Sequence, residues 1–216
     1  MALDGSSGDI RAEEILAALD NDQRAVALAT RGPVCVIAGA GTGKTRAITH
    51  RIAYAAAIGT MDPQKVLALT FTSRAAGEMR TRLRSLGVPT VAARTIHSAA
   101  LKQLIYFWPT VFGGRVPELM TAKAGFIGEA INRAGLSGEL RATSRELMRD
   151  IASEIEWAKV SQVAPEDFVN EIDKRTQKPR VSAEKLAKVY TAYESVKKQE
   201  LAIDFEDVLL LTAAML

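Results

Sequence analysis

"AGAGTGKTRAITHR", residues 38–51, follows directly on the apolar, β-branched run "PVCVI" at 33–37. A strand that ends in glycines and turns into a helix is a geometry that holds a polyphosphate. Crowded phosphate oxygens need backbone N–H groups pointing inward with no side chain in the way, and a helix N-terminus adds a favourable dipole. Gly39, Gly41 and Gly43 supply the bend, Lys44 is placed to bridge terminal phosphates, and the Thr45 hydroxyl is placed to ligate Mg²⁺. A glycine-rich turn that happened to precede a helix would account for the glycines alone. It would not account for strand, loop, Lys-Thr pair and helix arriving together. Ala38 departs from the strict pattern, which has glycine there, and is compatible only with a negative φ.

The flanking sequence alternates in the same way. "KVLALTFT" (65–72) and "PTVAART" (89–95) are further strand candidates. Ala47, Ile48, Ile52 and Ala55 share a helical face after the loop, and Ala75, Met79, Leu83 and Leu86 share one after the second strand, with Arg80, Arg82 and Arg84 pointing elsewhere. Strands alternating with helices predict a parallel α/β sheet. After His97 no strand is evident, and residues 99–200 read as an all-helical block. Its signals are a helix stopped at Gly135, a capping box of Thr143 and Glu146, an apolar stripe of Leu147, Ile151 and Ile155, and Pro165 at a first helical position. Leu186, Val189, Tyr190, Tyr193 and Val196 form another stripe, and Asp204 is placed to cap a last helix. The expected organisation is a nucleotide-binding part at 1–98, with a flexible lead-in to about residue 14, a helical insert at 99–200, and a return to the first part at 201–216.

No apolar run reaches the roughly 18 residues of a membrane span, and the N-terminus has no apolar h-region. Cys35 is the single cysteine, which with the missing signal leads us to expect a cytoplasmic protein and a buried, unreactive thiol. A net charge of +3 permits a polyanionic partner without demonstrating one.

The motifs together resemble the UvrD, PcrA and Rep-like helicases of superfamily 1. "AGAGTGKTRAITHRIAY" resembles their first motif, where alanine at the position of Ala38 is usual. "LDNDQR" (19–24) resembles the Q motif, "LTFTSRAAGEMRTRL" (69–83) motif Ia, "TIHSAALKQL" (95–104) motif Ib, and "IDFEDVLLL" (203–211) the segment before the second ATPase motif. Asp20, Ser73 and Ile96 depart from the commoner residues of these motifs. The resemblance implies an incomplete RecA-like P-loop parallel sheet with an inserted all-helical subdomain. It implies ATP and Mg²⁺ as cofactors, held by Ala40, Gly41, Thr42, Gly43, Lys44 and Thr45, with Gln23 reading the adenine edge and Arg46 lying against the adenine ring. It places Phe71, Thr72, Ser73, Arg74, His97 and Ser98 on single-stranded DNA or a single-strand/duplex junction. Without the resemblance, Phe71 reads as strand core, His97 and His50 as locally partnered histidines, Trp108 and Trp157 as core anchors, and "DKRTQKPR" (173–180) as a solvated basic loop.

Hydrolysis on such a fold also needs an acidic pair at a second strand and arginines to offset charge in the transition state. The resemblance puts these after "DFEDVLLL", and neither "NEID" (170–173) nor "DFED" (204–207) substitutes for the acidic pair. The chain is therefore expected to be the N-terminal, ATP-binding part of a DNA helicase of repair or replication, ending before Walker B. Alone it is expected to be inactive, to lack the second motor lobe, and to self-associate through unburied apolar faces. The competing expectations are a self-sufficient nucleotide-binding protein and a non-catalytic nucleotide- or DNA-binding fragment.

Overall fold

The computed structural model describes residues 5–39, 41–140, 145–172, 174–175 and 179–215, with side chains from residue 10 onward. Two compact units divide the chain, Met1–Ala99 and Ala100–Leu216. Among the described residues no helix is long and apolar enough to cross a membrane.

The first unit is built around one βαβ element. Strands β1 (Leu67–Thr70) and β2 (Ala92–Thr95) pair in parallel, in register from Leu67 opposite Ala92 to Thr70 opposite Thr95. Helix α4 (Ser73–Ser85) connects them, burying Ala76, Met79 and Leu83. Arg80 donates from Nη1 to the Ala93 carbonyl at 2.9 Å and so ties α4 to β2. Helices α1 (Gly5–Ala17), α2 (Asn21–Leu28) and α3 (Lys44–Ala57) complete the unit. Ile15, Ile52, Met79, Leu83, Val88 and Val91 form its apolar core. The lead-in expected up to about residue 14 is helical from Gly5, because Ala12, Ile15 and Leu16 bury along one face.

Two expectations fail in this unit. The run 33–37 forms no strand among the described residues, and Cys35 is exposed rather than buried. A β-prone run becomes a strand only when a neighbour supplies ladder hydrogen bonds. Here β1 and β2 pair only with each other, and Ile37 is left 97% exposed. Ile48 is likewise exposed, although it shares a helical face with Ala47 and Ile52.

The second unit is mainly helical. It contains most of α5 (Ile96–Val111), then α6 (Ala124–Arg133), α7 (Arg145–Val160), α8 (Phe168–Ile172), α9 (Ala183–Gln199) and α10 (Phe205–Met215). Ile131, Ile151, Ile155, Phe168, Val189 and Tyr193 lead its core. Burying each such side chain contributes about 1.5–3 kcal/mol, so this face sets the unit's stability. The α9 stripe is buried as the sequence predicts, and Trp157 and Trp108 pack against the unit's two apolar clusters. Gly135 ends α6 with φ +71°, which frees the Leu136 N–H to reach back to the Ile131 carbonyl at 3.1 Å. Thr143 of the expected capping box lies outside the described residues. Pro165 sits in the turn before α8 rather than at its first position.

A short parallel sheet in this unit was not expected. Strands β3 (Glu118–Leu119) and β4 (Ala202–Ile203) pair through Glu118 N–H to the Leu201 carbonyl at 2.8 Å and Met120 N–H to the Ile203 carbonyl at 2.9 Å. Two-residue strands carry no alternation to read, so only the long-range contact creates them.

Charge organises the entry to α10. Asp204 and Asp207 cap each other: the Asp207 N–H donates to Asp204 Oδ1 at 2.9 Å and the Asp204 N–H to Asp207 Oδ2 at 3.0 Å. Asp204 is fully buried, and two buried lysines close on it. Lys159 Nζ lies 2.7 Å from Asp204 Oδ2, and Lys197 Nζ lies 3.1 Å from the same oxygen and 2.6 Å from Asp207 Oδ2. Tyr193 donates its hydroxyl to Asp204 Oδ2 at 3.1 Å. Lys123, beside the start of α6, reaches Glu156 at 2.6 Å and Glu206 at 2.7 Å. Lysines from three helical segments therefore hold the acidic first turn of α10.

Candidate functional site

The phosphate-loop residues come from the turn between the apolar run and α3. Gly41 (φ +79°) and Gly43 (φ +81°) are both left-handed, a region that costs other residues about 1–2 kcal/mol. Gly43 is the N-cap of α3, so Lys44, Thr45 and Arg46 occupy its first turn. Space gives a second reason for glycine at 43. A Cβ there would stand 2.5 Å from Gln23 Nε2. Gln23 is held in place from its own side, because Asp20 caps α2 by accepting the Gln23 N–H at 2.8 Å. Aspartate and asparagine cap helices about equally well, so the Asp20 departure preserves this geometry. The Gln23 side chain donates to the Thr42 carbonyl at 3.3 Å.

Together these parts line a cavity of about 750 Å³ that includes Gln23, Ala38, Gly39, Thr42 and Lys44. Its size lies within the range of about 300–1,000 Å³ usual for small-molecule sites. The apolar run 34–37 forms one wall. Lys44 donates its ammonium to the Ala38 carbonyl at 3.0 Å and also to that of Gly39. Among the described residues it is the one basic side chain lining the cavity, so an entering anion would compete with carbonyl groups for it. The Thr45 side chain is exposed on the first turn of α3. Arg46 does not line the cavity; its guanidinium donates to the Ala18 carbonyl. Ala40 lies outside the described residues.

Backbone N–H groups, a helix N-terminus, a lysine and an exposed hydroxyl fit a magnesium-bound polyphosphate. Gly43 and the capped Gln23 give this cradle its shape. His50, one turn further along α3, is buried with Nδ1 2.8 Å from the Arg46 carbonyl, and burial lowers its pKa. It is a locally partnered helix residue.

The second group of candidates gathers at one edge of the sheet. Thr70 and Thr95 are register partners at the ends of β1 and β2, so Phe71–Arg74 and Ile96–Ser98 leave from the same end of neighbouring parallel strands. Phe71 is 88% exposed, so it does not pack into the core of this unit. Thr72 caps α4 by accepting the Ala75 N–H at 3.1 Å, so its hydroxyl is already engaged. Ser73 opens α4, and Arg74 pairs with Glu78 at 3.0 Å while remaining largely exposed. The Ser98 N–H donates to Thr95 Oγ1 at 3.1 Å, and His97 is half-buried beside it. None of these residues lines the 750 Å³ cavity. The edge presents an aromatic face, hydroxyls and a cation, which is the equipment for gripping a single strand without reading its sequence.

Sequence reasoning did not anticipate the hold of Gln23 on Gly43 or the engagement of Arg46 by Ala18. Both bring a polar side chain to backbone across a long sequence gap, which leaves no periodic trace.

The chain matches the family described as "UvrD/REP helicase N-terminal domain" over residues 19–216. It is 45% identical to the ATP-dependent DNA helicase UvrD2 of Mycobacterium tuberculosis, over 95% of this chain and 30% of that protein. It is 32% identical to the ATP-dependent DNA helicase PcrA of Leuconostoc citreum, over 93% of this chain and 26% of that protein. The PcrA of Staphylococcus aureus is 27% identical over 90% of the chain. The chain thus spans about 30% or less of the length of these relatives.

Proposed function

The chain belongs to the UvrD/REP helicase N-terminal domain family, and from that membership we propose that it is the ATP-binding, single-strand-contacting part of an ATP-dependent DNA helicase. The observation that carries this reading is the cradle itself: left-handed Gly41 and Gly43 deliver Lys44 to the first turn of α3 beside the capped Gln23. In the proposed complex, backbone N–H groups from Ala40 to Gly43 and the Lys44 ammonium hold the phosphates. Thr45 ligates Mg²⁺, and Gln23 meets the adenine edge. Arg46 leaves the Ala18 carbonyl to lie on the adenine ring. Bound ATP supplies the free energy for movement along DNA. The RecA-like lobe is then formed by 1–98 with 201–216 returning to it, and the helical block at 99–200 is the subdomain inserted in it. The unpaired edge of β1, with Leu67 and Leu69 exposed beside it, is where the chain self-associates or gains further strands.

The chain by itself binds nucleotide without efficient turnover in this proposal. Asp20 and Asp22 are the carboxylates lining the cavity, and Asp20 is occupied in capping α2. Equilibrium binding of an ATP analogue alongside a DNA-stimulated hydrolysis assay checks this. Turnover near 1 s⁻¹, at the low end for working enzymes, would show that the chain is catalytically complete.

DNA contact is tested at the sheet edge by titrating single-stranded DNA at several salt concentrations. Phe71→Ala is expected to cost about 1–3 kcal/mol of binding with little change in salt slope, as for a lost stacking contact. Arg74→Ala is expected to flatten the slope by up to about one unit, as for a lost phosphate contact. Because both side chains are exposed, neither change should lower the melting temperature much. Normal DNA binding by Phe71→Ala would exclude stacking at this position.

A further inference from the structure

A groove of about 560 Å³ lies between α6 and α7 in the second unit, remote in sequence from every residue discussed above as nucleotide- or DNA-binding. Ile127 and Gly128 of α6 and Met148 and Ala152 of α7 form its apolar floor. Arg145 and Arg149 stand on its rim, one helical turn apart and both exposed. Glu146, next to Arg145 in the chain, is engaged by Arg180, and neither rim arginine forms a salt bridge with a described residue. Gly128 keeps the floor deep. It sits inside α6, where glycine is less favourable than alanine, and an added Cβ would meet nothing closer than Met148 Cε at 3.8 Å. Methionine adapts its shape to different apolar partners, which suits Met148 to a docking floor.

We propose that this groove docks a protein segment carrying carboxylates beside an aliphatic or aromatic anchor. The charge and the floor select this occupant together. Two guanidiniums in one row match paired carboxylates, which they take bidentately. The floor beneath them offers an anchor side chain a place out of water. Nucleic acid satisfies only half of the site. Its phosphates would meet the arginines, but the floor has no aromatic face for a base, and an apolar surface would stay wet. The pattern is that of an amphipathic acidic segment laid in a groove.

Fluorescence anisotropy on the whole chain tests this, with a short fluorescein-labelled peptide in which aspartate pairs alternate with leucine. Two control peptides replace every aspartate by asparagine, or every leucine by serine. The acidic leucine peptide is expected to bind, and both controls to lose at least about tenfold in affinity. Arg145→Glu/Arg149→Glu, which changes only exposed side chains, is expected to lose at least about tenfold as well. Gly128→Leu is expected to block the floor, with its folding checked by thermal melting. No binding of the acidic leucine peptide, or equal binding by the charge-reversed variant, overturns the proposal. So does a single-stranded oligonucleotide whose binding falls in the charge-reversed variant while the peptide's does not.

Discussion

Lys44→Ala is expected to reduce ATP hydrolysis and unwinding by the proposed full-length helicase at least about a hundredfold, while leaving the fold intact. Removing one positioned donor to a developing negative charge costs enzymes about 10²–10³ in rate, and a charged donor belongs at the upper end. The fold has little to lose. Lys44 is exposed, and its partners are the Ala38 and Gly39 carbonyls of the same loop. Steady-state hydrolysis with and without single-stranded DNA measures the effect, and circular dichroism checks the structure. Hydrolysis within tenfold of wild type would remove Lys44 from the phosphates and with it the assignment of the cradle.

Asp204→Ala is expected to destabilise the second unit by about 3–5 kcal/mol in urea unfolding. The substitution removes the fully buried carboxylate that two buried lysines share, and leaves Lys159 and Lys197 only the less buried Asp207 and Glu194. It also removes the N-cap of α10 and the acceptor of the Tyr193 hydroxyl. The exposed pair of Arg74 and Glu78 is the control: solvent screens it, so Glu78→Ala should change stability little. Acid should reproduce part of the Asp204 effect. Burial alone would raise the Asp204 carboxyl, but the Lys197 and Lys159 ammoniums beside it hold it well below the carboxylate range. A carboxyl whose folded pKa is depressed stabilises the fold above its unfolded value of about 4. That contribution drains away as the pH falls from there toward the folded value. Burial would lower Lys159, but Asp204, Glu194 and Asp207 raise it, so its contribution is fully present below about pH 10 and fades only in stronger alkali. Unfolding midpoints from pH 2 to 7 should fall more steeply in wild type than in Asp204→Ala. Parallel curves would show that Asp204 does not carry the acid sensitivity.

The sequence by itself determined the local chemistry of this protein. The glycines at 41 and 43, the lysine and threonine that follow, the stop at Gly135, the apolar stripe of α9 and the cap at Asp204 are each read from neighbours within one or two turns. Backbone sterics and side-chain periodicity act at that range, so the letters are enough. The sequence also carried the family, because five motifs in order are a linear pattern.

Only the tertiary structure decided what depended on a distant partner. The run 33–37 has the composition of a strand but no paired neighbour among the described residues, so Cys35 and Ile37 face solvent. The two-residue strands β3 and β4 exist only because residues some eighty positions apart exchange hydrogen bonds. Lys159 and Lys197 occupy the apolar stripes of their helices, at Ile155+4 and Tyr193+4. That spacing marks them for burial, yet a lysine can stay there only if carboxylates meet it, and Asp204 and Asp207 arrive from another element. Helical periodicity says which face turns inward. Whether a charge or a strand on that face is tolerable depends on what the rest of the chain brings to meet it, and that is settled in three dimensions.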